Sequence, residues 1–119
     1  MRVSTAPRKR NSPRIAEKSA PGFLQWLRGR ECFFAYMCCC EGGMEAMHLD
    51  FAGGKGVGTK VADRHALPSC SRHHRMQHVS GWQTFAAAVG NTKEGLLYAS
   101  DQYWRQWPSR IAWERKLSA

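Results

Sequence analysis

The chain is poor in acid. Nine Asp and Glu stand against 18 Lys and Arg in 119 residues, a formal charge of +9 at pH 7 with His neutral. A surplus of that size favours a polyanionic partner, nucleic acid being the commonest, although a ribosomal or membrane-surface role fits the same number. It specifies no chemistry. Also missing is any apolar run near the roughly 20 residues that a membrane span needs. The basic N-terminus, Met1 to Arg10, has no apolar run behind it and does not read as a secretory signal, so a cytoplasmic protein is expected. No internal repeat is present. A chain this short has room for one domain with a modest core, and such domains often draw stability from metal or disulfides. Five cysteines, Cys32, Cys38, Cys39, Cys40 and Cys70, are odd in number with three in a row. That is a poor disulfide framework, and near histidines they read better as metal ligands.

Residues 1–21 carry Arg2, Arg8, Lys9, Arg10, Arg14 and Lys18, three prolines and one acid, Glu17. They are expected to form a flexible basic arm, either adding phosphate contacts or serving as a tail without effect. The domain is expected over 22–90, with C-terminal helices over 91–119 packed on it. Apolar spacing predicts a short helix over Gly22 to Arg30 and a strand over Met44 to Phe51. On that strand Glu45, Met47 and Leu49 share one face, and Ala46, His48 and Asp50 the other. A glycine-rich loop, Gly53 to Lys60, leads to a second strand over Ala62 to Pro68, which places His65 on it without a role. A helix is expected from near Ser71 to Gly81, then helical turns over Trp82 to Val89. After a break at Gly90-Asn91-Thr92, a further helix from Glu94 is interrupted by Pro108. Ile111 and Trp113 are candidates to cap the fold. The tryptophans Trp82, Trp104, Trp107 and Trp113 could stack on bases but at helical spacing read as core.

The densest signal is Cys70-Ser-Arg-His73-His74-Arg-Met-Gln-His78. His74 and His78 are four apart on a helix, so both imidazoles reach one ion. His73 points roughly 100° away from His74, so two sites are implied. Cys70 and His73 suit half of a tetrahedral zinc site. Cys32 is the natural first partner, and the second lies among Cys38, Cys39 and Cys40, with Cys40 preferred. A closed set of four would be structural, and the open His74/His78 pair would leave positions for water and phosphate.

Two other motifs are set aside. The run Gly53 to Lys60 reverses the P-loop order, with Thr59-Lys60 after Gly58, and no G-x-G-x-x-G occurs. It reads instead as a loop whose Lys55 and Lys60 lie against phosphates, or as a solvated turn. Cys70, with Cys-x-x-His spacing, reads as a ligand rather than a hydrolase nucleophile.

Glu45-Ala-Met-His48-Leu-Asp50, Ala52-Gly-Gly-Lys55-Gly-Val-Gly58-Thr-Lys60-Val-Ala-Asp63-Arg64 and Pro68-Ser-Cys70-Ser-Arg-His73-His74-Arg-Met-Gln-His78, with Gly81-Trp82, together resemble the HNH nuclease superfamily. The likeness is to its small phage and prophage members, over roughly residues 22 to 85. The resemblance implies that His48 is the general base for hydrolysis of a DNA phosphodiester and that Asp63 keeps it oriented. It also implies that His74 and His78 hold a catalytic divalent ion (Mg²⁺, Mn²⁺, Ni²⁺ or Zn²⁺), and that Cys70 and His73 complete a structural zinc site. Three positions depart from the pattern. Met47 stands where many relatives have a metal-binding Asp, Glu or His, Ser69 replaces the usual Leu, and the first cysteines form no C-x-x-C.

The expectation is thus an α+β protein. A ββα-metal (HNH) core with structural Zn²⁺ is flanked by an N-terminal helix and C-terminal helices. It would act as a metal-dependent DNA endonuclease, with Lys55, Lys60, Arg72 and Arg75 contacting phosphates. The alternative is a zinc-stabilised, inactive DNA-binding or recombination accessory protein, which Met47 favours; an RNA-binding structural protein is a weaker third.

Overall fold

The structure, a computed structural model, describes residues 16–53 and 61–119. Lys55, Lys60 and most of the expected basic arm lie outside the described residues. The described part is α+β, with five α-helices and a two-stranded antiparallel sheet. Helix α1 (Pro21–Arg28) begins on a proline, whose missing N–H costs nothing at a first turn, and buries Phe23 and Leu27 one turn apart. Residues 16–20, expected in the arm, instead form a 3-10 turn (Ala16–Lys18) leading to Ala20, which is buried.

Strand β1 (Met44–His48) pairs with β2 (Ala66–Cys70), with Met47 opposite Leu67 and His48 opposite Ala66. Two strands alone are marginal, and here both faces are covered. Met47 and Leu67 pack with Phe34, Phe85, Val89 and Leu96, while Ala46 and Ala66 meet Phe23, Leu27 and Trp104. Fully burying a side chain such as Phe23 contributes about 1.5–3 kcal/mol.

The strands differ from expectation at their ends. Strand β1 stops at His48, and Asp50 sits on a 3-10 turn (Asp50–Ala52) rather than on the strand. Strand β2 begins at Ala66, so His65 precedes it, and Pro68 lies inside it instead of closing it. Every strand of a two-stranded sheet is an edge, where a residue without N–H is tolerated. The Pro68 carbonyl still works, accepting the Phe33 amide at 2.8 Å.

Helix α2 (Ser71–Ser80) follows β2 directly and ends at Gly81, whose φ of +84° suits glycine. Helices α3 (Trp82–Ala88) and α4 (Lys93–Gln106) follow, the latter capped by Thr92 Oγ accepting the Gly95 amide at 3.0 Å. Helix α4 buries Leu96, Ser100 and Trp104 along one stripe. Pro108 lies in the break before α5 (Arg110–Ser118). Trp113 of α5 packs edge-on against Trp104, but Ile111 is exposed and does not cap the fold. Trp104 and Trp107 are buried, in keeping with the core reading. Among the described residues no helix is long and apolar enough to cross a membrane.

Candidate metal centre and histidine pairs

Cys70 closes β2 and caps α2, its sulfur accepting the His73 amide at 3.4 Å. His73 follows one turn in, so Cys70 and His73 are delivered together by the strand-to-helix junction. Cys32 is brought alongside by the Phe33 amide to Pro68 bond, and its sulfur accepts the Cys70 and Phe34 amides at 3.3 and 3.4 Å. Cys40 arrives on a tight turn in which Cys38, Cys39 and Gly42 have φ of +76°, +67° and +82°. Carbonyls of this turn satisfy the first N–H groups of α2: Ser71 N donates to Gly43 O at 2.9 Å and Arg72 N to Glu41 O at 3.1 Å. Gly42 is required there, because a Cβ would meet Ser71 Cβ at 2.6 Å.

The result is a cluster. His73 Nδ1 lies 3.2 Å from Cys70 Sγ, 3.7 Å from Cys32 Sγ and 3.8 Å from Cys40 Sγ, and all four ligand atoms fall within 4.8 Å of one another. A tetrahedral ion with bonds of about 2.0–2.3 Å sets its ligand atoms roughly 3.3–3.8 Å apart. The four side chains therefore form a candidate metal site compatible with a structural ion such as zinc. The electrostatics agree. Desolvation, then the Cys32 and Cys70 sulfurs, push the Cys40 thiol up to about 12. Burial also raises Cys70, but backbone N–H bonds and the neighbouring thiols outweigh it and bring that thiol below its ordinary value. Three sulfurs this close resist sharing negative charge without a cation. Burial, then Arg72, lowers His73 and keeps it neutral, as a ligand must be. Cys38 and Cys39, expected to be thiols competing for the fourth position, are instead joined to each other as a disulfide, which leaves that position to Cys40.

The remaining candidates form two pairs. His48 Nε2 lies 2.9 Å from Asp63 Oδ1, joining the end of β1 to the far end of the long connection. Both side chains are partly accessible, at 33% and 19%. On α2, the His74 and His78 rings stack with centroids 4.8 Å apart, as their spacing predicts. Sequence reasoning missed Glu45. Its Oε1 is 2.7 Å from His74 Nδ1, and its Oε2 accepts Ser71 Oγ at 2.8 Å. These bonds, Ser71 first, hold its carboxyl below the ordinary range. The signal was present: Glu45 is the one acid on β1, on the strand face opposite His48.

Among the described residues, the Cys32–Cys40–Cys70–His73 group is the one set of three or more His, Cys, Asp or Glu side chains with metal-ligand spacing. His48, His74 and His78 are not drawn into a second such set, and Asp50 stays exposed on its turn. Met47 is fully buried opposite Leu67, a core position. Arg72, expected to contact phosphate, donates to the Cys39 carbonyl at 3.1 Å and braces the cysteine turn, whereas Arg75 is exposed. The chain matches no family model, no curated protein and no solved structure.

Proposed function

We propose that the protein is a metal-dependent DNA endonuclease of ββα-metal (HNH) type, built around a structural zinc site. The observation that carries this reading is the His48–Asp63 pair, 2.9 Å apart and partly accessible, on a hairpin that runs straight into the helix bearing His74 and His78. With Nε2 donating to Asp63, His48 presents Nδ1 as the nitrogen that takes a proton from water attacking the phosphodiester phosphorus. The P–O bond to the leaving oxygen then breaks. Glu45 engages His74 Nδ1, which fixes the ring and leaves Nε2 as its metal-binding nitrogen, with the His78 ring stacked alongside. For a divalent ion held there to neutralise charge on the phosphoryl and leaving oxygens, the bound phosphate must reach both the Glu45–His74 face of β1 and the opposite face, which carries His48. The charge of +9 supports a polyanionic substrate.

The test is nicking of supercoiled plasmid by the metal-loaded protein with Mg²⁺, Mn²⁺ or Ni²⁺, beside His48→Ala purified identically. Cleavage that disappears in the variant and in chelator supports the reading; equal cleavage by both sinks it. A second reading is favoured by buried Met47 and by the fact that, among the described residues, His74 and His78 join no set of three or more side chains with metal-ligand spacing. In it the same fold binds DNA without cutting. Plasmid retarded by both proteins and cut by neither, with one metal ion per chain, would select it.

A further inference from the structure

The hydrogen bonds around Asp63 do not end at His48. Its second carboxylate oxygen, Oδ2, accepts the Ala20 amide at 2.8 Å, and its own amide donates to the Lys18 carbonyl at 2.9 Å. One short segment thus grips Asp63 by both backbone and side chain. That segment is held in turn from its other side. Trp113 Nε1 donates to the Ser19 carbonyl at 3.1 Å, across 94 residues of sequence. Trp113 is seated edge-on against Trp104, with ring centroids 5.1 Å apart, and Trp104 is itself buried. Ala20 is buried too, so little water competes for its amide. An Asp side chain turns about two bonds, and fixing one oxygen on a rigid amide fixes where the other meets His48.

We propose that Lys18–Ala20 is a positioning element of the His48–Asp63 pair and that Trp113 is its remote anchor, so that segments near both ends of the fold orient the base from behind. The inference rests on reading His48 as the general base. Trp113→Phe keeps an aromatic ring against Trp104 while removing the donor N–H together with the five-membered half of the indole. With metal content and far-ultraviolet circular dichroism unchanged, kcat for plasmid cleavage should fall about threefold to tenfold with KM little affected. The His48 ring N–H proton resonance, slowed in exchange by its bond to Asp63, should broaden or vanish in the same variant.

Asp63→Ala, which should lose both the resonance and more of the activity, separates the possible failures. If Trp113→Phe keeps the resonance and kcat while Asp63→Ala loses them, the positioning role is overturned and the proposed function stands. If Asp63→Ala cleaves like wild type while His48→Ala does not, the orienting role of Asp63 and of the segment falls and the base stands; if His48→Ala also cleaves like wild type, the assignment of the base falls. Should Trp113→Phe not fold, amide exchange at Ala20 decides: protection present in wild type and lost in Asp63→Ala upholds the clamp, and equal protection in both overturns it.

Discussion

His73 and His74 are neighbours on α2, yet their surroundings differ in kind. His73 is 2% exposed and meets three sulfurs; His74 has a 22% exposed side chain and meets one carboxylate, with His78 stacked beside it. About 100° of helix rotation separates a closed set of four from an open pair. A closed set has no place for substrate and contributes to folding, whereas an open pair contributes little to folding and leaves room for water and phosphate. Metal removal should therefore act on the two regions very differently.

The largest effect is expected at the closed set. A strong chelator should unfold the protein, since apparent binding free energies of structural zinc, about 10–16 kcal/mol, are comparable with the whole stability of a small domain. Cys40→Ser should lose the ion and collapse the far-ultraviolet spectrum, while Cys39→Ser should keep both, because the Cys39 sulfur is outside the cluster. Metal analysis and circular dichroism on the two variants check this. Equal loss in both would mean that the cysteine turn shares ligand duty, and the contrast with the open face would weaken.

Away from the closed set, at the His48–Asp63 pair and at the Glu45–His74 pair, the fold should survive. His48→Ala should lower cleavage about 10²–10⁴-fold, the usual contribution of a general base, with structural metal and melting temperature close to wild type. Glu45→Gln should act less strongly, weakening divalent-ion affinity about 10–100-fold as its bond to His74 is lost or reversed. Titrating cleavage against Mn²⁺ or Ni²⁺ concentration measures this directly. Unchanged ion dependence would leave Glu45 as a strut for Ser71 and remove the carboxylate from the site.

Much of this was legible in the sequence, and the misses share a cause. The helix over Ser71 to Ser80, its stop at Gly81, the break at Gly90-Asn91-Thr92 and the Cys70–His73 half-site follow from local spacing, whereas Cys32 and Cys40 are long-range partners, the latter preferred over Cys38 and Cys39 without a local reason. Glu45 stands out in the sequence as the one acid on β1, but its partner does not, because that depends on how α2 folds back over β1, a contact across 29 residues. Strand β2 was read too early because Pro68 looked like a stop, which holds inside a larger sheet but not on an edge. Arg72 was read as a phosphate contact because nothing local showed that the cysteine turn would bring the Cys39 carbonyl to it.

The smallest expected effect concerns what holds the region next to Asp63 together without any ion. Asp101 on α4 accepts Arg105 at 2.8 Å and Arg64, the neighbour of Asp63, at 3.3 Å, and Arg64 also lies over the Trp104 ring. The Arg105 hydrogen bond first, then the charges of Arg105 and Arg64, outweigh burial and hold the Asp101 carboxyl below its ordinary value. A carboxyl lowered in the folded state stabilises above its unfolded value, and that contribution is lost as pH falls through the lowered one. Asp101 is 35% exposed and its partners Arg64 and Arg105 42% and 68%, so solvent screens both pairs and Asp101→Asn should cost no more than about 1 kcal/mol near neutral pH. Its penalty should shrink below about pH 4, where the wild-type carboxyl also begins to lose its charge advantage. Thermal melts of both proteins from pH 7 downward, at low and high salt, measure it, with metal content held as the control. A penalty that stays the same on acidification would show that Asp101 acts through packing, and this region would then be held by contacts indifferent to charge, unlike the closed set with its thiolates.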